Sequence, residues 1–352
     1  MSTRRFLLRV MLALGAGCAL AAEPRVGSSP VLEDRYPERR TSFPDGVVGY
    51  ADLTYAALAG YRPLILDLYE PGKASSPRPL VIYLHGGGWQ AGHTRHSGAF
   101  EDWPGVLASI AARGYVVASV EYRLSGEAPF PAAVQDVKAA IRWLRMHASR
   151  FGIDKSRAVV WGGSAGGQLA ALVGASCGAS DLESPSPAAD QRPEPGAAAA
   201  SARTAVTDDA VAHESDCVQG VIAWYGVFDF SQLVHARSAG DWARGTAEYR
   251  YLGCDPGKCP AATLAAAGAI SYVDAKDPPV LMIHGVNDHT VPIAQSRSYL
   301  AALRAKGVKA ELVEIPEVDH SFVGETPAAT REASLRALNR SIEFIDATML
   351  TR

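Results

Sequence analysis

The chain has 352 residues, 48% of them hydrophobic and 20% charged, which is enough to enclose a sizeable core in one large domain. Its formal net charge of −3 supplies no basic field for gathering nucleic acid or anionic lipid, so both are excluded as partners.

The first residues read apart from the rest. Arg4, Arg5 and Arg9 precede a mostly apolar run over 10–20, and Ala19-Leu20-Ala21 places small residues at cleavage spacing. This predicts a secretory signal peptide over residues 1–22. The run is too short to span a bilayer, so no stable membrane insertion is expected after cleavage. Residues 3–9 loosely resemble a twin-arginine export signal. Gly15-Ala16-Gly17-Cys18 makes a poor lipoprotein box, with Leu14 one place too early. The expectation is an exported protein, periplasmic or secreted.

Residues 23–62 are read as an extended lead-in and 63–352 as the folded domain. Residues 64–69 alternate apolar and polar side chains, as a half-buried strand does. Continuous apolar runs follow at 80–84, 116–120, 158–161, 221–224, 280–283 and 312–315. Runs of this kind fit parallel strands covered on both faces. Helical spacing lies between them. Residues 133–147 put Val134, Val137, Ile141 and Leu144 on one face, and 168–173, 294–306 and 331–345 read alike. Strands alternating with helices predict an α/β fold, a mainly parallel central sheet with helices on both faces.

One stretch interrupts that rhythm. Residues 178–216 are rich in Ala, Pro, Ser and Asp and nearly devoid of large apolar side chains, which predicts a mobile insertion. Removing the signal leaves Cys177, Cys217, Cys254 and Cys259, an even count that suggests disulfides in an exported chain. Nearest-neighbour pairing joins Cys177 to Cys217 and Cys254 to Cys259. Other pairings and free thiols stay open. A metal site is not expected, since no His lies at ligand spacing from these cysteines.

The chemistry is carried by four segments. Gly162-Gly163-Ser164-Ala165-Gly166-Gly167 follows an apolar strand and opens a helical pattern. A sharp strand-to-helix turn there would lift the Ser164 hydroxyl clear at the C-terminal end of the sheet. The plain alternatives are a Gly-rich turn or a phosphate cradle, and the absence of a following Lys weakens the second. His85-Gly86-Gly87-Gly88-Trp89 follows the strand at 80–84. Glycine amides approach an oxyanion unobstructed, so Gly87 and Gly88 are assigned as donors, with the Ala165 amide as a third. His284-Gly285-Val286-Asn287-Asp288 follows the strand at 280–283. Val318-Asp319-His320-Ser321-Phe322 follows the one at 312–315. The order Ser164, Asp288, His320 is the one a strand–turn–helix nucleophile uses, with His320 as base and Asp288 as its orienting acid. His284 reads as a structural strand end. Asp319 is not placed behind the ring by its adjacency to His320, and Asp229 is a less favoured carboxylate. His93, His96, His147, His213, His235 and His289 carry no supporting pattern. Trp89, Trp103, Trp224, Tyr225 and Phe228 fit a substrate pocket and ordinary packing equally well.

With these segments in hand, the chain resembles an α/β-hydrolase serine esterase. It is similar to the hormone-sensitive-lipase-like and carbohydrate-esterase-like branch, which includes acetylxylan and feruloyl esterases. The likeness runs over 63–344. It includes Glu121-Tyr122-Arg123-Leu124, Pro129-Phe130-Pro131-Ala132-Ala133, Asp136, and Asp277-Pro278-Pro279-Val280 through Pro292. The resemblance implies the α/β-hydrolase fold, a carboxylic-ester hydrolase working through an acyl-enzyme on Ser164, and no cofactor. It also implies a small-molecule ester substrate, carbohydrate-linked esters among the options. Gly163 stands where hormone-sensitive-lipase-like members commonly carry an acidic residue, which favours the carbohydrate-esterase-like side. No long apolar cap precedes the first core strand, so short-chain or aromatic acyl esters are expected rather than long-chain lipids. Rival readings are an amidase, formamidase or serine peptidase of the same fold, and a non-catalytic binding protein on a hydrolase scaffold.

Overall fold

The computed structural model describes residues 38–72, 76–183, 214–236, 246–255 and 257–350. Residues 1–22, expected to be a signal peptide, and the start of the expected lead-in fall outside the described residues, as does the middle of the expected insertion, 184–213.

A nine-stranded sheet organises residues 38–350. Its strands are β1 (Arg39–Ser42), β2 (Val48–Ala56), β3 (Leu64–Glu70), β4 (Arg78–Leu84), β5 (Val116–Val120), β6 (Ile153–Gly163), β7 (Gly220–Trp224), β8 (Val280–Gly285) and β9 (Ala310–Ile315). They lie in the order β1-β2-β3-β5-β4-β6-β7-β8-β9. The pairs β1–β2, β2–β3 and β3–β5 are antiparallel, and all pairs from β5 to β9 are parallel. The seven predicted strands are all present. Strands β1 and β2 add an antiparallel margin inside the stretch read as lead-in, where neither an apolar run nor clean alternation announces them.

The apolar runs form strands because both faces of the sheet are covered. On β4, Leu80, Ile82 and Leu84 enter one core while Val81 and Tyr83 enter the other. Helices α2 (Ala132–Met146), α4 (Ala165–Ala175) and α8 (Ala294–Ala305) line the first core. Helices α1 (Trp103–Ala112) and α9 (Pro327–Met349) line the second. The remaining α-helices among the described residues are α3 (Ala148–Phe151), α5 (Phe230–Ala236), α6 (Ala247–Leu252) and α7 (Ala261–Ala267). This is the predicted architecture, an α/β-hydrolase fold.

Disulfides join Cys177 to Cys217 and Cys254 to Cys259, the nearest-neighbour pairing. The first closes the ends of the insertion, and basic side chains of α2 hold the same ends. The fully buried Lys138 ammonium lies 2.6 Å from Asp216 and donates to Ser176 O at 2.7 Å. Arg142 pairs with Glu183. Arg145 donates to Ser215 O and Cys217 O at 2.5 and 2.6 Å. Arg123 and Asp136 form a buried forked ion pair, with contacts from 2.7 to 3.1 Å. That pair fixes the link from β5 to α2, as expected for a structural segment. Among the described residues, no helix is long and apolar enough to cross a membrane.

Candidate active site

Strands β4 and β6 are parallel neighbours with Leu84 opposite Gly162. Their C-terminal ends therefore deliver His85 and Ser164 side by side. Strand β6 turns into α4 at Ser164, whose φ of 55° and ψ of −118° lie in a region costing a non-glycine residue about 1–3 kcal/mol. Bonds on both sides hold it. The Ser164 amide donates across to Trp224 O of β7 at 2.9 Å, and Ser164 O accepts the first bond of α4 from Gln168 N at 2.9 Å.

The loop after β4 closes over this turn. A Cβ on Gly86 would stand 2.9 Å from Gly163 O, too close for any real side chain. Gly87 has a φ of 112°, and Ala91 O occupies the place its Cβ would take. Trp89 anchors the loop from one side, donating from Nε1 to Gln168 Oε1 at 3.0 Å and stacking on Tyr251 at 4.2 Å. Asp67 of β3 anchors the far side, accepting from Thr94 Oγ1 at 2.8 Å and Arg95 Nε at 2.7 Å. His85 is buried against Tyr122, and burial pushes its imidazole down to about 4. It is therefore neutral near pH 7, and its Nδ1–H donates to Gly86 O at 2.8 Å.

Strands β8 and β9 supply the other two predicted residues. His320 opens a short turn, His320–Phe322, just beyond β9, with its Nε2 2.9 Å from Ser164 Oγ. Its Nδ1 lies 2.8 Å from Asp288 Oδ2. The other Asp288 oxygen, Oδ1, accepts from the amides of Thr290 at 2.9 Å and Val291 at 2.7 Å. Burial opposes the charged form of Asp288. Hydrogen bonds from His284, His320 and the backbone outweigh it and hold the carboxyl well below its ordinary range. Ser164, His320 and Asp288 thus form one hydrogen-bonded line.

Asp319 has a different task. It accepts from the amides of His320 at 2.6 Å and His289 at 2.9 Å, fixing the turn rather than standing behind the ring. Asp229 accepts from Gln232 N at 2.9 Å at the start of α5. His284, read as a structural strand end, contacts Asp288 Oδ2 through Nε2 at 3.1 Å. Its place in the His-Gly-Val-Asn-Asp turn was the available signal.

A cleft of about 630 Å³ opens at Ser164 and His320, bordered by Gly87, Gly88, His96, Tyr225 and Val323. Ala165 is the residue after Ser164, at the first position of α4. Of the five aromatic pocket candidates, only Tyr225 borders this cleft. Trp103 and Trp224 pack with Trp161 in the second core, Phe228 stacks on Tyr299, and Trp89 on Tyr251. Tyr225 presents its ring edge-to-face to His320 at 4.9 Å.

A strained strand-to-helix serine, met by side chains from the ends of two later parallel strands, places this protein among the α/β-hydrolases. The BD-FAE family model matches residues 66–303, and the chain belongs to that family. It is similar to Esterase LipQ of Mycobacterium tuberculosis, 30% identical over 280 residues, which cover 77% of this chain and 57% of that protein. Carboxylesterase NlhH of the same organism is 31% identical over 263 residues, covering 71% of this chain and 76% of that one. Among solved structures, a butyrate-bound thermophilic esterase of Thermogutta terrifontis is 26% identical with a TM-score of 0.61. It covers 84% of this chain and 92% of that chain. The chain spans little more than half the length of Esterase LipQ.

Proposed function

We propose that this chain is an exported serine carboxylic-ester hydrolase for short acyl groups. Ser164 is its nucleophile, His320 its general base and Asp288 the acid that orients His320. The observation that carries the reading is the hydrogen-bonded line from Ser164 through His320 to Asp288 at the mouth of the cleft.

In the first step, Ser164 Oγ attacks the ester carbonyl as His320 Nε2 takes its proton. Asp288 holds the Nδ1–H tautomer and stabilises the imidazolium. The carbonyl oxygen becomes an oxyanion, met by the amides of Gly87, Gly88 and Ala165. The C–O bond to the alcohol then breaks, and His320 returns the proton to the leaving oxygen. Water, activated by the same imidazole, releases the acid from the acyl-enzyme.

The esterase relatives support ester hydrolysis, and the butyrate-bound neighbour supports a short acyl group. The cleft's lining agrees. Gly86, Gly87, Gly88 and Gly163 border the serine and Tyr83 and Tyr225 close the wall around it, which favours small acyl groups. The two disulfides support an oxidising destination, and with it the exported reading of residues 1–22. The test is a rate profile on p-nitrophenyl esters from acetyl to dodecanoyl plus methyl ferulate, with Ser164→Ala alongside. Rates concentrated on the shortest esters and abolished by the substitution support the reading. A blank across all esters refutes it and points to amides.

A further inference from the structure

His284 and Ser296 stand outside the three-residue line and are fully buried. His284 Nε2 lies 3.1 Å from Asp288 Oδ2 and 2.9 Å from Val291 O. Both partners are acceptors, so Nε2 must carry a proton. In the neutral ring His284 Nδ1 is then the acceptor, and it lies 2.7 Å from Ser296 Oγ, whose hydroxyl can donate to it. The tautomer is thus fixed from both sides. His284 Nε2–H shares Asp288 Oδ2 with His320 Nδ1–H, while Oδ1 takes two amides. All four acceptor directions of the carboxylate are occupied.

We propose that His284 is a positioning residue for the acid, and that Ser296 sets its tautomer. The five side chains form one relay: Ser296, His284, Asp288, His320, Ser164. The inference rests on the functional reading above. Its physical content is competition. A carboxylate oxygen shared between two imidazole donors binds each less tightly than it would bind one. His284 therefore tempers the pull of Asp288 on the His320 proton and keeps the base free at lower pH. It also fixes the carboxylate plane that orients the ring, as second partners do at metal-bound histidines. Other ionisable groups lie near the relay. Tyr225 faces the His320 ring edge-to-face and hydrogen-bonds Ser321, Asp319 binds the amides of His289 and His320, and Glu314, opposite His284 on β9, pairs with Arg297.

The experiment compares wild type, His284→Leu, His284→Gln and Ser296→Ala by pH profiles on p-nitrophenyl acetate. Gln carries an N–H donor at a reach similar to that of His Nε2. Removing the competing donor with His284→Leu should raise the acid limb of kcat/KM by about one pH unit and lower kcat about tenfold, leaving KM little changed. His284→Gln should recover most of the wild-type profile. Ser296→Ala should move the limb in the same direction by less. A folded His284→Leu protein whose profile superimposes on wild type overturns the inference. If that variant does not fold, a Ser296→Ala profile identical to wild type overturns it instead.

Failure of the underlying reading looks different. Wild type would then be inactive on every ester, or Ser164→Ala would be as active as wild type. In that event the low-field proton resonance of His320 Nδ1–H, identified by its loss in His320→Ala, decides. It should move further downfield in Ser296→Ala. An unmoved resonance overturns the inference.

Discussion

His320 Nε2 stands 2.9 Å from Ser164 Oγ although 156 residues separate them in the chain. The contact exists because β6 and β9 run parallel and finish at the same end of the sheet, with β7 and β8 between them. A hydrogen bond this far from local structure is held by everything between its ends, yet deleting either side chain removes few packing contacts. Ser164→Ala and His320→Ala are therefore expected to lower kcat/KM by roughly 10⁴-fold or more while leaving the melting temperature nearly unchanged. Ester kinetics beside a thermal melt check this. A loss below tenfold in either variant assigns the chemistry to other residues.

Gly86 is expected to behave in the opposite manner to a surface glycine. Its Cα faces the nucleophile turn, and an added Cβ would meet Gly163 O at 2.9 Å and Ser164 Cβ at 3.5 Å. The obstruction is backbone, which cannot swing aside as a flexible side chain can. Gly86→Ala must displace either the Gly87–Gly88 amides or Ser164 by several tenths of an ångström. Misplacement on that scale costs about 10–100-fold in kcat. The check is kcat against KM on a short ester. A variant with wild-type kcat would mean the loop tolerates the shift.

The central sheet and the line from Ser164 to Asp288 were legible in the sequence for a shared reason. Parallel strands buried on both faces must be apolar throughout, so β4 to β8 announce themselves. Reacting residues in this fold sit immediately beyond such strands, so each follows a strong signal. Strands β1 and β2 were not legible, because an antiparallel margin open to solvent needs no apolar run. Residues 39–42 are wholly exposed. The role of His284 was hidden for another reason. A strand-end histidine and a partner of the acid look alike until Asp288 Oδ2 and Ser296 Oγ are seen on either side of the ring. The aromatic residues show the limit of composition. Trp89 and Tyr225 both follow strand ends, yet one packs on Tyr251 and the other faces the cleft.

The two disulfides should differ in weight. Cys177–Cys217 closes a separation of 40 residues and Cys254–Cys259 one of 5. On the chain-entropy account, the first contributes about 4 kcal/mol and the second about 2 kcal/mol. Replacing Cys177 and Cys217 together by Ala should lower the melting temperature clearly more than replacing Cys254 and Cys259, at unchanged cleft chemistry. The ion pairs of Lys138 and Arg142 with the same insertion ends reinforce the first crosslink. Melts of the two double variants settle the order, and equal shifts would show that loop length does not govern it.

Asp277 gives stability a pH dependence of unusual sign. Burial just before β8 raises its carboxyl to about 6, against partial relief from the Asp274 amide, which donates to Oδ2 at 3.2 Å. Between pH 4 and 6 the folded chain therefore binds this proton more tightly than the unfolded chain does. Stability from this group is fully present below about pH 4 and is lost as pH rises through about 6. The group is half open to water, so screening reduces the effect to a modest size. Asp277→Asn keeps an oxygen for the Asp274 amide and removes the charge. The variant should melt with wild type near pH 4 and a few degrees above it beyond pH 6. Melting curves of the two proteins across that range isolate the difference from every other titration. A constant offset would mean that Asp277 ionises as readily in the folded as in the unfolded chain, and one that shrinks as pH rises would mean that folding favours its carboxylate.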